Sequence, residues 1–190
     1  MEGNFKEIFN QLDRKGYHVT DGLTDTEISK IENEYSISFN IDHLKYLKTG
    51  LVIGERFYNW RDFSENNIYK IKKMLNWPLE GILFDIKNNL FWYNKIGKKP
   101  EKLENQIAIF SDWYHLNVPK LIPIYSHRFM PSEPKRSGTP VYSVYQTDII
   151  YYGEDIISYF NLEFSLNITK EVVMNEGENK EPYFWNDLAS

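Results

Sequence analysis

The sequence predicts an α+β fold in a single domain, and three observations predict it. Helical periodicity dominates roughly the first 80 residues. Two apolar, tyrosine-rich stretches in the second half, parted by a loop rich in proline, read as strands. A further stretch of helical spacing follows them. Helices first, then strands with interspersed helices, then a helix, is the order expected when helices pack on a sheet within one domain. With 190 residues, 42% of them hydrophobic and 26% charged, the chain has a globular composition and is long enough to bury a core without covalent staples. It shows no internal repeat.

Each element has a local reason. Phe5, Ile8, Phe9 and Leu12 recur at helical spacing and predict an amphipathic helix over 4 to 15, ended near Gly16. Thr24 followed by Glu27 is a capping box, in which each side chain satisfies the other residue's backbone N–H. It opens a helix over 25 to 35 whose face is Ile28, Ile31 and Tyr35. Ile41, Leu44 and Leu47 predict a second short helix, with Gly50 placed to end it. Residues 51 to 63 read as strand or ordered loop. Ser64 caps a helix carrying Ile68, Ile71 and Leu75, and Pro78 with Gly81 is expected to end it. Residues 81 to 93 read as apolar, turn, apolar, which suits either a hairpin or a short helix feeding a strand. Pro100 favours a helix start, with the helix running to about Leu116. Strands are expected over 121 to 129 and within 141 to 152, separated by a turn-rich loop from Pro131 to Pro140. Neither strand alternates cleanly, which implies cover on both faces of the sheet. Gly153 opens a helix over 153 to 162 with Ile156, Ile157, Tyr159 and Phe160. A polar, mobile tail is expected over 175 to 181, and Phe184 and Trp185 are expected to dock back on the body. The organisation is thus an N-terminal helix in 1 to 20, the main domain in 20 to 170, and an acidic C-terminal tail in 171 to 190.

Composition narrows the chemistry. Without cysteine there is no disulfide framework, zinc-thiolate site or cysteine nucleophile, which fits a reducing compartment. The N-terminus lacks a cationic start and apolar run, so no signal peptide is expected, and no stretch approaches the roughly 20 apolar residues that span a bilayer. A cytoplasmic protein with no membrane partner is the expectation. The net charge is −5. From Ser137 onward nine acidic side chains face only Lys170 and Lys180, a balance of −7 that leaves +2 for the residues before. An acidic C-terminal third disfavours direct nucleic-acid binding and suits a basic protein partner.

Candidate catalytic residues are few. None of His18, His43, His115 and His127 stands at a metal-ligand spacing, so no metal and no cofactor are expected. His127 has Asp148 and Glu133 within reach in sequence, and a His127–Asp148 pair would give a hydrolase reading. Glu154 and Asp155 follow a glycine at a predicted helix start, where carboxylates meet the helix dipole favourably. Lys95, Lys98, Lys99 and Lys102 lie beside Phe91, Trp92 and Tyr93, a combination that can bind single-stranded nucleic acid, although Glu101 and Glu104 dilute the charge. Residues 141 to 153 hold Tyr142, Tyr145, Tyr151 and Tyr152. Tyrosine at such density suits either a recognition surface or a strand buried with its hydroxyls bonded. Tyr142 or Tyr145 is expected inward, and Tyr151 or Tyr152 outward.

The run Ile-Pro-Ile-Tyr-Ser-His-Arg-Phe-Met-Pro-Ser-Glu-Pro from 122 to 134, followed by Pro-Val-Tyr-Ser-Val-Tyr-Gln-Thr-Asp-Ile-Ile-Tyr-Tyr-Gly from 140 to 153, resembles the signature of bacterial Smi/Knr-type proteins of the SUKH superfamily. The opening Gly-Leu-Thr-Asp-Thr-Glu-Ile at 22 to 28, the middle Gly-Ile-Leu-Phe-Asp-Ile at 81 to 86 with Phe91-Trp92, and the ending Phe-Trp-Asn-Asp-Leu at 184 to 188 are similar to the family as an ordered set. The resemblance covers about residues 20 to 190. It implies a central mixed or antiparallel sheet flanked by helices, and a protein-binding role. Many bacterial members look like immunity proteins that neutralise a cognate toxin, often a nuclease or deaminase, and fungal relatives are signalling or cell-wall regulators. The family brings no catalytic set. Phe84, Asp85, Trp92, His127, Arg128, Asp148, Tyr151, Tyr152 and Gly153 look mainly architectural in it, and some line a binding face. The resulting expectation is a non-catalytic module that binds a basic toxin through Asp148, Tyr151, Tyr152, Glu154 and Asp155. A regulatory scaffold binding host proteins is the alternative, and a hydrolase using His127 and Asp148 the third reading.

Overall fold

The structure is a computed structural model and describes residues 2–169 and 183–189. Helix α1 (Glu2–Arg14) buries Phe5, Ile8, Phe9 and Leu12, the face that the spacing predicts. Strand β1 (His18–Asp21) follows and pairs antiparallel with β2 (Gly50–Ile53). Between them lie α2 (Asp25–Tyr35), with the Thr24–Glu27 capping box formed, and α3 (Ile41–Thr49), capped by Asn40 and ended by Gly50. Gly22 sits where an added Cβ would meet the Lys48 carbonyl oxygen at 1.9 Å, so only glycine lets β1 turn so tightly over the end of α3.

Helix α4 corrects the expectation at Pro78. It runs from Glu65 to Asn88, straight through Pro78 and Gly81, and absorbs the 81 to 86 stretch that reads as a hairpin or short helix. Its first half contributes Ile71 to one hydrophobic cluster, and its second half contributes Ile82 and Ile86 to another. Packing at both ends holds the helix together across the residue that cannot donate a hydrogen bond. Residues 90 to 93 form no strand. After a 3₁₀ turn at Asn94–Ile96, α5 spans Leu103–Asn117, starting three residues later than Pro100 suggests.

The main sheet is antiparallel in the order β3 (Leu121–Tyr125), β4 (Arg128–Pro131), β5 (Val141–Tyr145), β6 (Asp148–Gly153). Each expected strand is therefore a hairpin. The turns carry Ser126 at φ 48° and Gln146 at φ 57°, left-handed positions usually given to glycine or asparagine. Helix α6 (Ile156–Phe164) and the short α7 (Tyr183–Leu188) complete the chain. The expected mobile tail over 175 to 181 lies outside the described residues.

Helices cover both faces of this sheet. Ile122, Ile124, Met130 and Val141 point to the cluster built with α1, α2, α3 and α6. Leu121, Phe129, Tyr142, Val144 and Ile149 point to the cluster built with α4, α5 and α7. That is why the strands do not alternate between apolar and polar. Phe184 and Trp185 dock as expected, with the Trp185 indole N–H donating to the Pro119 carbonyl at 2.8 Å. The fold is α+β in one domain. Among the described residues no helix is long and apolar enough to cross a membrane.

Candidate functional site

Strand β6 is the outer strand of the sheet, and the residues expected at a partner face lie on or just after it. Side chains alternate along a strand, so Asp148, Ile150 and Tyr152 project to one side and Ile149 and Tyr151 to the other. Asp148 is exposed, Tyr151 is 44% exposed and Glu154 is exposed. Ile150, which the sequence reading passed over, is 42% exposed. Tyr142 points inward beneath Tyr151, with ring centroids 5.3 Å apart, and Tyr145 points outward.

Two of the five expected residues have structural duties instead. The Asp155 carboxylate accepts from the Ser158 N–H at 2.8 Å as the N-cap of α6, and only 8% of the residue is exposed. It caps the helix, which also moves the helix start from 153 to 156. Tyr152 is half-buried under the Arg128 guanidinium, which lies 3.9 Å above its ring. Both side chains therefore contribute to the fold. An N-cap and a cation–π partner cannot be told from surface residues by sequence position alone.

Arg128 is the hub of the polar network behind β6. It pairs with Glu163 of α6 at 3.2 Å, donates to Ser143 Oγ at 2.9 Å and meets His127 Nε2. Because guanidinium only donates, His127 Nε2 accepts and its Nδ1–H turns to Ser126 Oγ at 3.2 Å. Both ring nitrogens are thereby engaged, so neither Asp148 nor Glu133 is the partner of His127. Glu133 instead lies 3.8 Å from Lys135. Burial first, and then the Arg128 charge, push the His127 pKa down.

The turn between β5 and β6 rests on α4. An added Cβ at Gly81 would meet the Gln146 Cα at 2.8 Å, so glycine here admits the turn rather than ending the helix. One turn on, the buried Asp85 carboxylate accepts from the Thr147 N–H at 2.9 Å and its hydroxyl at 2.6 Å. Trp77 donates to the Val144 carbonyl at 3.2 Å and its ring faces Tyr145 at 6.4 Å.

Several of the other candidates are engaged within the protein. In the basic stretch, Lys95 pairs with Asp187 at 2.6 Å, Lys99 donates to the Leu90 carbonyl and Trp92 to the Gly97 carbonyl. A groove of about 350 Å³ between α2, α4 and α5 has its cations committed, Lys72 to Glu34 and Lys120 to the Ser36 carbonyl. Compared with known proteins, the chain matches no family model, no curated protein and no solved structure.

Proposed function

We propose that this chain is a non-catalytic protein-binding module of the SUKH type, acting in the cytoplasm as an immunity protein that neutralises a basic toxin of the nuclease or deaminase class. The observation that carries the reading is the outer strand β6, which places exposed Asp148 and Glu154 at its two ends with exposed Ile150 and Tyr151 between them. Exposed apolar side chains on both faces of an outer strand, with a carboxylate at each end, suit an interface that is steered by electrostatics and held by apolar contact. Toxins that act on nucleic acid carry cationic surfaces, and the −7 balance of the C-terminal third complements them. The resemblance of residues 122 to 153 to Smi/Knr-type proteins supports the same reading.

The test takes the basic polypeptides encoded by the genes that flank the one for this protein, one of which is expected to be the toxin. Purified with this protein, it should form a stable complex, and co-expression should rescue cells from its toxicity. Wild-type protein that neither binds nor protects overturns the proposal.

A further inference from the structure

The two hydrophobic clusters lie on opposite faces of the main sheet, and α4 contributes to both. Between α2, α4 and α5 the helices leave the groove of about 350 Å³. That volume falls within the roughly 300–1,000 Å³ of small-molecule sites. Tyr35, Ile37 and Leu75 line it from the first cluster, and Leu79, Tyr114 and Val118 from the second. The groove is therefore walled by apolar side chains of both cores.

Its polar lining is cationic. Lys72 and Lys120 bring two ammonium groups and Glu34 one carboxylate, a balance of +1 on a chain whose net charge is −5. Lys72 pairs with Glu34 at 2.7 Å. Lys120 donates to the Ser36 carbonyl at 2.6 Å, where it answers the free carbonyls at the C-terminal end of α2. An ammonium carries three donors, so each lysine keeps donors for a ligand after these contacts. Tyr35 is 6% exposed, and its hydroxyl has no hydrogen-bond partner among the described residues. A buried polar group left unsatisfied is uncommon in a fold, and this one belongs to a residue of the groove lining.

We propose that this groove binds a small organic acid, a planar apolar body carrying one carboxylate. The body lies against Leu75, Leu79 and Tyr114. The carboxylate accepts from Lys120, and Lys72 supplies the second positive charge. The site is separate from β6 and does not depend on the protein-binding reading.

The experiment titrates the isotopically labelled full chain with three probes. Naphthylacetate has both features, naphthylacetamide keeps the ring and loses the charge, and acetate keeps the charge and loses the ring. Naphthylacetate should saturate, moving the amide signals of Ser36, Asn76 and His115 and leaving those of β6 in place. Naphthylacetamide and acetate should each bind at least about tenfold more weakly. Lys120→Met should weaken naphthylacetate at least about fivefold. Asn76→Trp, at an exposed position of the lining, should block it. Both variants should melt within a few degrees of wild type. No saturation by naphthylacetate, shifts centred on other amides, or an amide that binds as tightly as the acid overturns the proposal. So does wild-type affinity in both variants. If one variant loses stability, the other decides, because the two residues lie on different segments.

Discussion

The two hairpins of the main sheet are built alike and seated differently. Both close through a short turn with one residue in the left-handed region, Ser126 in the first and Gln146 in the second. The first turn is enclosed: the Ser126 N–H donates to the Arg56 carbonyl at 2.8 Å, and its carbonyl accepts from the Tyr58 hydroxyl. Charged and polar groups beside it, Arg128, Glu163 and His127, satisfy one another inside the protein. The second turn is seated from one side only, by Asp85, and leaves Tyr145, Asp148 and Ile150 facing outward. Polar residues beside the first turn therefore satisfy one another within the fold, whereas the second turn, seated by Asp85, leaves Tyr145, Asp148 and Ile150 exposed.

The strongest way to break the contrast is Arg128→Ala. The Arg128 and Glu163 side chains are only 12% and 19% exposed. Removing one partner strands the other charge and uncovers the Tyr152 ring, so the expected loss is about 3–5 kcal/mol in urea denaturation. A loss under about 1 kcal/mol would mean the first hairpin is not secured by this network.

Asp85→Ala tests the second seat. It removes two hydrogen bonds to Thr147 and one from Asn89. Bonds to a charged acceptor contribute about 1.5–3 kcal/mol each, but the turn can rehydrate once released, so the expected cost is about 2–3 kcal/mol. Faster amide exchange at Thr147, without faster exchange at Ser126, would confirm that the two turns are held independently.

The sequence makes some of this contrast legible and hides the rest. Local rules suffice where one side chain decides the outcome. Thr24 and Glu27 announce α2, the spacing of Ile41, Leu44 and Leu47 with Gly50 announces α3, and the faces Phe5–Leu12 and Ile28–Tyr35 are buried as spaced. They fail where tertiary contact overrides them. Pro78 reads as a stop, yet α4 continues because its two halves anchor in different clusters. Ser126 and Gln146 give no glycine signal, so each hairpin reads as one strand. β1 is too short and polar to show, and exists through its pairing with β2. At the candidate site, the acidic and tyrosine content of β6 is legible. The separation of Asp155 as a cap from Glu154 as a surface group is not.

Acid probes the core on the Ile122–Ile124 side of the first hairpin. His43 is buried among Phe39 and Tyr46 in the cluster that also receives Ile122 and Ile124, and neither ring nitrogen has a hydrogen-bond partner among the described residues. Burial lowers its pKa from 6.5 to about 3. The unfolded chain therefore takes up a proton below pH 6.5 that the fold refuses, and stability falls as pH drops from 6.5 toward 3. At pH 5 the loss is about 2 kcal/mol, at 1.36 kcal/mol per unit. His127, lowered in the same direction, adds to it. His43→Leu should flatten most of the decline in melting temperature between pH 6.5 and 5. An unchanged slope in that variant would place the titrating group elsewhere.

The smallest effect on stability, and the most direct probe of the second hairpin, comes from Asp148→Lys combined with Glu154→Lys. Both residues are exposed at opposite ends of β6, so the double variant should melt within about 0.5 kcal/mol of wild type. Association with a basic partner should nevertheless slow about tenfold at low salt, because two attractive charges become repulsive, and the difference should shrink once the Debye length falls below about 10 Å. Asp155 is left intact in this pair, since converting the α6 cap to lysine would confound binding with folding. Tyr152→Ala serves as the internal contrast. It removes the ring beneath Arg128 and should lower stability. If the charge-reversed protein associates at the wild-type rate at every salt concentration, the acidic edge does not steer the partner. The difference between the two hairpins would then be one of packing alone.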